Sequence, residues 1–162
     1  MIEEHVTQRN DMPHEQLLEN RSESMPSVNH SYLCLRLLKQ LLPNDKVEPF
    51  PELTLDIANG ITPDICVFPK NVIQPNLLHD VLKCQEKPIL AIEVVSASQT
   101  ISEMLQKATQ MVQSGVPMVW TVEPYSRSVF VTTPEEETVI HEDVLERAGI
   151  HVDFSQIFRK SS

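Results

Sequence analysis

The longest apolar pattern in this chain runs from residue 88 to residue 120. Residues 88–96 are apolar at almost every position, which is typical of a short strand buried on both faces. Residues 98–114 then repeat apolar side chains with the period of about 3.6 residues that marks an amphipathic helix. Gly115 suits the residue after a helix end, and residues 116–122 resume a strand pattern. The segment therefore predicts a strand, a helix packed on that strand, and a closing strand.

The rest of the chain adds helices and strands around this unit. The expected elements are a helix over 28–42, a hairpin of strands 46–57 and 61–68 that turns at Ala58-Asn59-Gly60, a loop over 69–87 with a turn or two of helix at 77–82, strands at 127–133 and 137–141, and a short helix within 143–158. This order predicts an α/β (α+β) fold in which a mixed central sheet is flanked by helices. We expect a single domain over 26–162, preceded by a polar N-terminal arm over 1–25.

One charged residue, Glu93, lies in the middle of the apolar strand. A buried carboxylate needs a partner, or it takes up a proton. Glu93 lies roughly 10 Å back from the end of its strand at about 3.3 Å per residue, and Lys107 lies roughly 13 Å along the antiparallel helix at about 1.5 Å per residue. Lys107 also lies at the edge of the apolar face, from which a lysine can reach the seam between helix and strand. The sequence therefore predicts a contact between Glu93 and Lys107, with an ordinary surface lysine as the alternative.

A second carboxylate, Asp64, enters the apolar run of residues 65–68 directly after Pro63. An aspartate at such a position caps, forms an ion pair or binds a metal, although Pro-Asp is also a common turn pair. Two carboxylates on neighbouring strands can hold Mg²⁺ through their oxygens, and a nearby lysine can orient or help deprotonate an attacking water. Asp64, Glu93 and Lys107 together fit the chemistry of phosphodiester hydrolysis.

His30 and Cys34 share the apolar face of the first predicted helix. A histidine on such a face is more often a hydrogen-bonded structural residue than a metal ligand. The three cysteines, Cys34, Cys66 and Cys84, form no CxxC pair, so the sequence indicates neither a disulfide framework nor a zinc site. We interpret Cys34 and Cys66 as core residues.

The chain is acidic, with 23 acidic residues against 13 basic residues and a formal net charge of −10. This charge disfavours broad, nonspecific binding to polyanions, so any contact with nucleic acid has to be local. The N-terminus lacks the apolar run of a secretion signal, and no apolar run approaches the length of a membrane span. We expect a cytoplasmic protein with no membrane partner.

Several short segments follow one another in a specific order along the chain. They are Met25-Pro-Ser-Val-Asn-His30, Glu52-Leu-Thr-Leu-Asp56-Ile, Thr62-Pro-Asp64-Ile-Cys-Val, Leu90-Ala-Ile-Glu93-Val-Val-Ser, the helix with Lys107, and Gly115-Val-Pro-Met-Val-Trp120-Thr-Val-Glu-Pro124. Over roughly residues 26 to 158 this order resembles the Uma-type putative restriction endonucleases, within the PD-(D/E)xK nuclease superfamily. The resemblance implies a restriction-endonuclease-like fold and DNA as the partner, with a homodimer as one candidate assembly.

The resemblance also implies roles for individual residues. The metal-binding acids of the family fall on Asp64 and Glu93, which would hold Mg²⁺ (or Mn²⁺). The superfamily's usual lysine, two residues after the second acid, is Val95 here, and similar members carry the lysine on the following helix instead. The catalytic residues that the resemblance implies are therefore Asp64, Glu93 and Lys107. Many relatives add a glutamate from an earlier segment, for which Glu52 is the candidate here, with His30 behind it and an ordinary surface residue of an edge strand as the alternative.

Three functions fit these observations. The first is a Mg²⁺-dependent DNA endonuclease, which the joint presence of Asp64, Glu93 and Lys107 favours. The second is a catalytically inactive nuclease-fold protein that acts as a binding or regulatory module, which the acidic charge and the low aromatic content favour. The third is a cytosolic domain in which Glu93 and Lys107 form a structural ion pair without a metal.

Overall fold

The computed structural model describes residues 26–160, and the predicted N-terminal arm over 1–25 lies outside the described residues. The described residues contain a six-stranded sheet with strand order β1 to β6. Its strands are β1 (Val47–Pro51), β2 (Ile65–Pro69), β3 (Leu90–Val94), β4 (Val119–Glu123), β5 (Ser128–Thr132) and β6 (Glu137–His141). β3 and β4 are parallel, and the other neighbouring strands are antiparallel. The predicted mixed central sheet is confirmed.

Two long helices cover the two faces of this sheet. The helices are α1 (Val28–Leu41), which precedes β1, α2 (Ile101–Gln113), which connects β3 to β4, and the short α3 (Phe154–Ile157). Parallel neighbours such as β3 and β4 need a crossover connection, because a tight turn joins only antiparallel strands. A separate pair of strands, β7 (Val144–Arg147) and β8 (Ile150–Asp153), packs against α1. None of the described helices is long and apolar enough to cross a membrane.

Strand β3 is buried along its whole length because both of its faces are covered. Ile92 packs with Leu37 of α1 in one apolar cluster. Ala91 packs with Ala108 of α2 in a second cluster on the opposite face. Successive side chains of a strand point to opposite faces, so Glu93 shares the α2 face with Ala91. The fold therefore directs the only charged side chain of β3 towards α2.

The predicted hairpin of the first two strands is present, but both strands are shorter than predicted. β1 ends at Pro51, which has no backbone N–H to donate, and β2 begins only at Ile65. Residues 52–64 form the loop between them, and the predicted turn lies inside it. The two ends of this loop meet, since the backbone N–H of Glu52 donates to the carbonyl of Asp64 at 3.1 Å.

The prediction of a helical turn at 77–82 is wrong. This segment forms turns and bends. Its aliphatic side chains are exposed, namely Leu77, Leu78, Val81 and Leu82. A helix this short is stable only when an apolar face packs against the rest of the protein, and here those side chains face solvent.

The prediction of a short helix within 143–158 is wrong for most of that range. β7 and β8 form a hairpin there, and the four residues of α3 are the helical part. Ala148 and Gly149 both have positive φ, 53° and 76°, as a two-residue type I′ turn requires. The alternation of buried Ile150 and Val152 then suits a strand that packs one face on the core.

Candidate active site beside the start of strand β2

The register of β2 and β3 brings two carboxylates together. These antiparallel strands pair Ile65 with Ile92. One step further along the same register Asp64 lies opposite Glu93, just before β2 begins. Oδ2 of Asp64 accepts the backbone N–H of Val94 at 2.7 Å, which holds this carboxylate beside β3. The structure thus places the two acids singled out from the sequence side by side.

Glu93 is buried and faces Lys107. The Nζ of Lys107 lies 2.7 Å from Oε1 of Glu93, whose side chain is only 4% exposed. Among the described residues, no donor meets this oxygen in hydrogen-bonding geometry, so the contact is mainly a charge pair. Burial raises the pKa of Glu93, the charge of Lys107 lowers it and the nearby charge of Asp64 raises it, and the net pKa is about 7. A further cation beside Glu93 would favour its ionised form.

Helix α2 holds Lys107 at this position through its first turn and its apolar face. The Thr100 hydroxyl accepts the backbone N–H of Glu103, and the Glu103 carboxylate accepts that of Thr100, which fixes the start of the helix. The apolar face buries Met104, Ala108, Met111 and Val112. Lys107 lies at the edge of that face with its side chain 31% exposed. Its ammonium therefore touches Glu93 while part of the side chain stays open to solvent.

His30 reaches Asp64 from the other face of the sheet. Its Nε2 lies 2.9 Å from Oδ1 of Asp64, and the two side chains are 13% and 19% exposed. The hydrogen bond to Asp64 and the contact with Cys34 raise the pKa of His30 to about 10, against the lowering effect of burial. Ser27 fixes the start of α1 by accepting the backbone N–H of His30 at 3.2 Å. His30 is therefore protonated at neutral pH and balances the charge of Asp64.

Glu52 lines a cavity of about 260 Å³ together with His30, Cys34 and Asp64. Its backbone has a φ of 52°, a left-handed conformation that residues with a side chain rarely adopt. The bond from its N–H to the Asp64 carbonyl holds this conformation. The structure thus brings Glu52 to the cavity of His30 and Asp64, although among the described residues its carboxylate bonds to neither.

Cys34 is the residue of this region that the sequence interpretation missed. Its Sγ lies 4.0 Å from Nδ1 of His30, and the half-buried side chain both packs against the apolar cluster below α1 and lines the cavity. The signal for this contact is the spacing, because residues i and i+4 of a helix lie one above the other. Cys66, in contrast, is fully buried, and burial raises the pKa of its thiol to about 12.

The donor set at Asp64 and Glu93 fits a hard divalent cation. Mg²⁺ takes oxygen ligands and usually binds one or two carboxylates while keeping several waters. A carboxylate offers about four lone-pair positions. The described contacts of Asp64 use one position on each oxygen, and Oε1 of Glu93 has no aligned donor. Both residues therefore have lone pairs left for a cation.

Two solved structures illustrate what this chain is similar to. One is the crystal structure of a putative nuclease belonging to DUF820 from Anabaena variabilis ATCC 29413, which is 21% identical, with a TM-score of 0.69 over 83% of this chain and 82% of that chain. Another is a cryoEM structure of a DrdV–DNA complex, which is 14% identical, with a TM-score of 0.42 over 75% of this chain and 9% of that chain. The first similarity confirms the predicted nuclease-like fold.

Family comparison gives the identity that the fold and the paired acids suggest. No protein with a curated description matches the chain. The model of the Uma2 family, described as putative restriction endonucleases, matches residues 3–155. Since this match spans nearly the whole sequence, the chain belongs to the Uma2 family of putative restriction endonucleases.

Proposed function

We propose that this protein is a Mg²⁺-dependent DNA endonuclease of the PD-(D/E)xK type, which hydrolyses phosphodiester bonds. The observation that carries the proposal is the group of Asp64, Glu93 and Lys107. The two acids lie opposite each other across β2 and β3, and the ammonium lies 2.7 Å from Glu93. Membership of a family of putative restriction endonucleases supports a nuclease.

Asp64 and Glu93 are the residues that would hold the cation. Bound there, Mg²⁺ (or Mn²⁺) supplies a Lewis acid that polarises the phosphate and lowers the pKa of a water molecule. The Val94 N–H orients Asp64 for this role. Glu93 has to be ionised, which its burial opposes and the charge of Lys107 favours. We therefore assign Asp64 as the ligand that is already oriented for metal binding, and Glu93 as the ligand whose charge depends on its neighbours.

Lys107 is the residue that we assign to the attacking water. A lysine ammonium has three N–H donors, and its contact with Oε1 of Glu93 is a charge pair at 2.7 Å. These donors can orient a water molecule for attack on the phosphorus and stabilise the negative charge that develops on the phosphate oxygens. Positioned groups of this kind typically contribute about 10² to 10⁴-fold to a rate.

His30 and Glu52 act on the acids and do not need to touch the reacting atoms. His30, protonated with a pKa of about 10, donates to Oδ1 of Asp64 and so fixes the rotation of that carboxylate. Glu52 adds a third carboxylate at the cavity beside Asp64. We assign His30 as a positioning residue and Glu52 as an outer ligand that binds through water.

A homodimer belongs to the same proposal. The described residues of one chain contain one group of two acids and a lysine in this arrangement. Cleavage of both strands of a duplex at one position calls for two such groups, which a homodimer supplies by symmetry. Sedimentation of the protein with and without a DNA duplex tests this assembly.

A catalytically inactive binding or regulatory module is the second candidate. The net charge of −10 favours it, because proteins that bind DNA usually carry a basic surface. In such a protein Lys107 would only neutralise Glu93. Cleavage assays separate the two candidates, because both predict a folded protein and only one predicts broken phosphodiester bonds.

Plasmid nicking with purified variants is the experiment that tests the proposed function. The wild type should convert supercoiled plasmid to nicked and linear forms with Mg²⁺ and stop when EDTA is added. Asp64→Asn keeps the shape of the side chain and should lower the rate by at least about 10²-fold. Asp45→Asn changes an exposed aspartate just before β1 that takes no part in the proposed site, and it should cut like the wild type. Equal rates for both variants would overturn the proposal.

A further inference from the structure

Asp64 belongs to a second group of potential metal ligands, on the side away from Glu93. His30, Cys34 and Asp64 each offer one ligand atom, and these atoms all lie within 4.8 Å of one another. Two of the three residues come from the first turns of α1 and the third from the residue before β2. Neither Glu93 nor Lys107 takes part in this group.

The spacing of the two helical residues is that of a metal-binding pair. Positions i and i+4 lie on one face of a helix, and two ligands at this spacing can hold one ion, as in helical zinc motifs. The N-cap bond from the His30 N–H to Ser27 fixes the backbone at the first of these positions. The helix thus presents an imidazole and a thiol to the same point, beside the Asp64 carboxylate.

The distances also fit one ion. A tetrahedral zinc ion with bonds of about 2.0 to 2.3 Å places neighbouring ligand atoms roughly 3.5 Å apart. In the structure, Nε2 of His30 is 2.9 Å from Oδ1 of Asp64, and single ligand atoms of His30, Cys34 and Asp64 all lie within 4.8 Å of one another. These separations bracket the required one, so small side-chain rotations suffice. The adjoining cavity of about 260 Å³ has room for a water as the fourth ligand.

The donor types select a different metal from the one that suits Asp64 and Glu93. A site of thiolate, imidazole and carboxylate prefers Zn²⁺ or Co²⁺, whereas Mg²⁺ avoids sulfur. The Asp64 carboxylate, whose Oδ1 lies 2.9 Å from Nε2 of His30, supplies negative charge at this point.

We propose that His30, Cys34 and Asp64 form a zinc-binding site that joins the start of α1 to the start of β2. The site has three protein ligands and an open position towards the cavity. It is separate from the Asp64–Glu93 pair in its metal preference and in two of its three ligands. The proposal does not depend on nuclease activity, because metal binding itself is its readout.

Cobalt spectroscopy tests this site directly. Co²⁺ bound to a thiolate gives a near-ultraviolet charge-transfer band that imidazoles and carboxylates elsewhere in the chain cannot produce. The reduced wild-type protein, kept with a non-thiol reductant, should develop this band with Co²⁺ and lose it when Zn²⁺ is added. Cys34→Ser should abolish the band, and the matched control Cys84→Ser should keep it. Excess Mg²⁺ should not displace the cobalt.

A second measurement tests the same site with Zn²⁺, in case one of the variants is unstable. Zn²⁺ should raise the thermal unfolding temperature of the wild type and of Cys84→Ser, and should leave those of Cys34→Ser and His30→Gln unchanged. Competition with a chelator should show Zn²⁺ affinity lowered by more than about 100-fold in Cys34→Ser, beyond the loss that outer residues of a metal site cause. Absence of the charge-transfer band in the wild type, or its persistence in Cys34→Ser, would overturn the proposal.

Discussion

Two helices reach the acids of this protein from opposite faces of the sheet, and their contacts differ in burial. On the α2 side, Lys107 is 31% exposed but meets a glutamate that is only 4% exposed, so the carboxylate is the buried partner. On the α1 side, His30 meets Asp64 with exposures of 13% and 19%, next to a cavity. Removing one partner of a buried pair leaves an unpaired charge in a dry environment, whereas water can replace a partner near the surface. The contact on the α2 side therefore contributes more to stability, whereas the contact on the α1 side is the one that the cavity leaves open to solvent.

Replacing Lys107 should have the largest effect of any single change at the site. Lys107→Met keeps the packing of the stem and removes the ammonium. We expect plasmid cleavage to fall by at least about 10²-fold, and the free energy of unfolding at pH 8 to fall by about 3 kcal/mol, since Glu93 is left buried without its counter-charge. Chemical denaturation and nicking assays measure both quantities.

The matched control for this change is Lys70→Met, at an exposed lysine that follows β2. It should unfold and cleave like the wild type. A Lys107→Met protein that loses stability but retains cleavage would assign Lys107 to a structural ion pair alone.

Glu93→Gln should change the pH dependence of stability on the α2 side. Because the pKa of Glu93 is raised from 4.5 to about 7 in the folded protein, the folded state binds more protons than the unfolded state between these values. The unfolding free energy of the metal-free wild type should therefore fall as pH rises through this window. The variant should lack this fall and should be more stable than the wild type at pH 8, by on the order of 2 kcal/mol. Parallel pH curves for the two proteins would contradict the burial argument.

His30→Gln should have the smallest effect, on the α1 side. We expect cleavage to fall by about tenfold, as for other residues that orient a ligand, and stability at pH 7 to fall by about 1 kcal/mol. The pKa of His30 is raised from 6.5 to about 10, so its stabilisation is complete below pH 6.5 and is lost as pH rises through about 10. The difference in unfolding free energy between wild type and variant should therefore shrink towards pH 10. A difference that stays constant with pH would show that the charged His30–Asp64 pair does not stabilise the protein.

The strand, helix and strand over residues 88–120 could be predicted because their apolar residues recur at a regular spacing over a long segment. The contact of Glu93 with Lys107 followed from the same segment, since rises per residue along a strand and a helix fix relative heights. The position of Asp64 opposite Glu93 could not be derived in this way. It depends on the register of β2 with β3. The predicted strand over 61–68 also begins earlier than β2 does, so the prediction placed Asp64 inside a strand and not in the loop before it.

Other features escaped the sequence for local reasons. Cys34 lies among apolar residues, so it was interpreted as core, although its spacing from His30 carried the signal of a shared helix face. The β7–β8 hairpin depends on positive φ at Ala148, which an alanine seldom adopts and which sequence alone does not indicate. The aliphatic segment at 77–82 suggested a helix, because its sequence pattern does not reveal that these side chains stay exposed.

The sharing of one divalent cation by Asp64 and Glu93 is the central claim, and calorimetric titration with Mg²⁺ or Mn²⁺ tests it most directly. The wild type should bind the metal, and Asp45→Asn should bind it equally well. Asp64→Asn and Glu93→Gln should each weaken binding by at least about tenfold. Affinity in the wild type should also fall as pH drops below about 7, where Glu93 takes up a proton. A wild type that binds neither metal, or variants that bind as well as the wild type, would contradict the account.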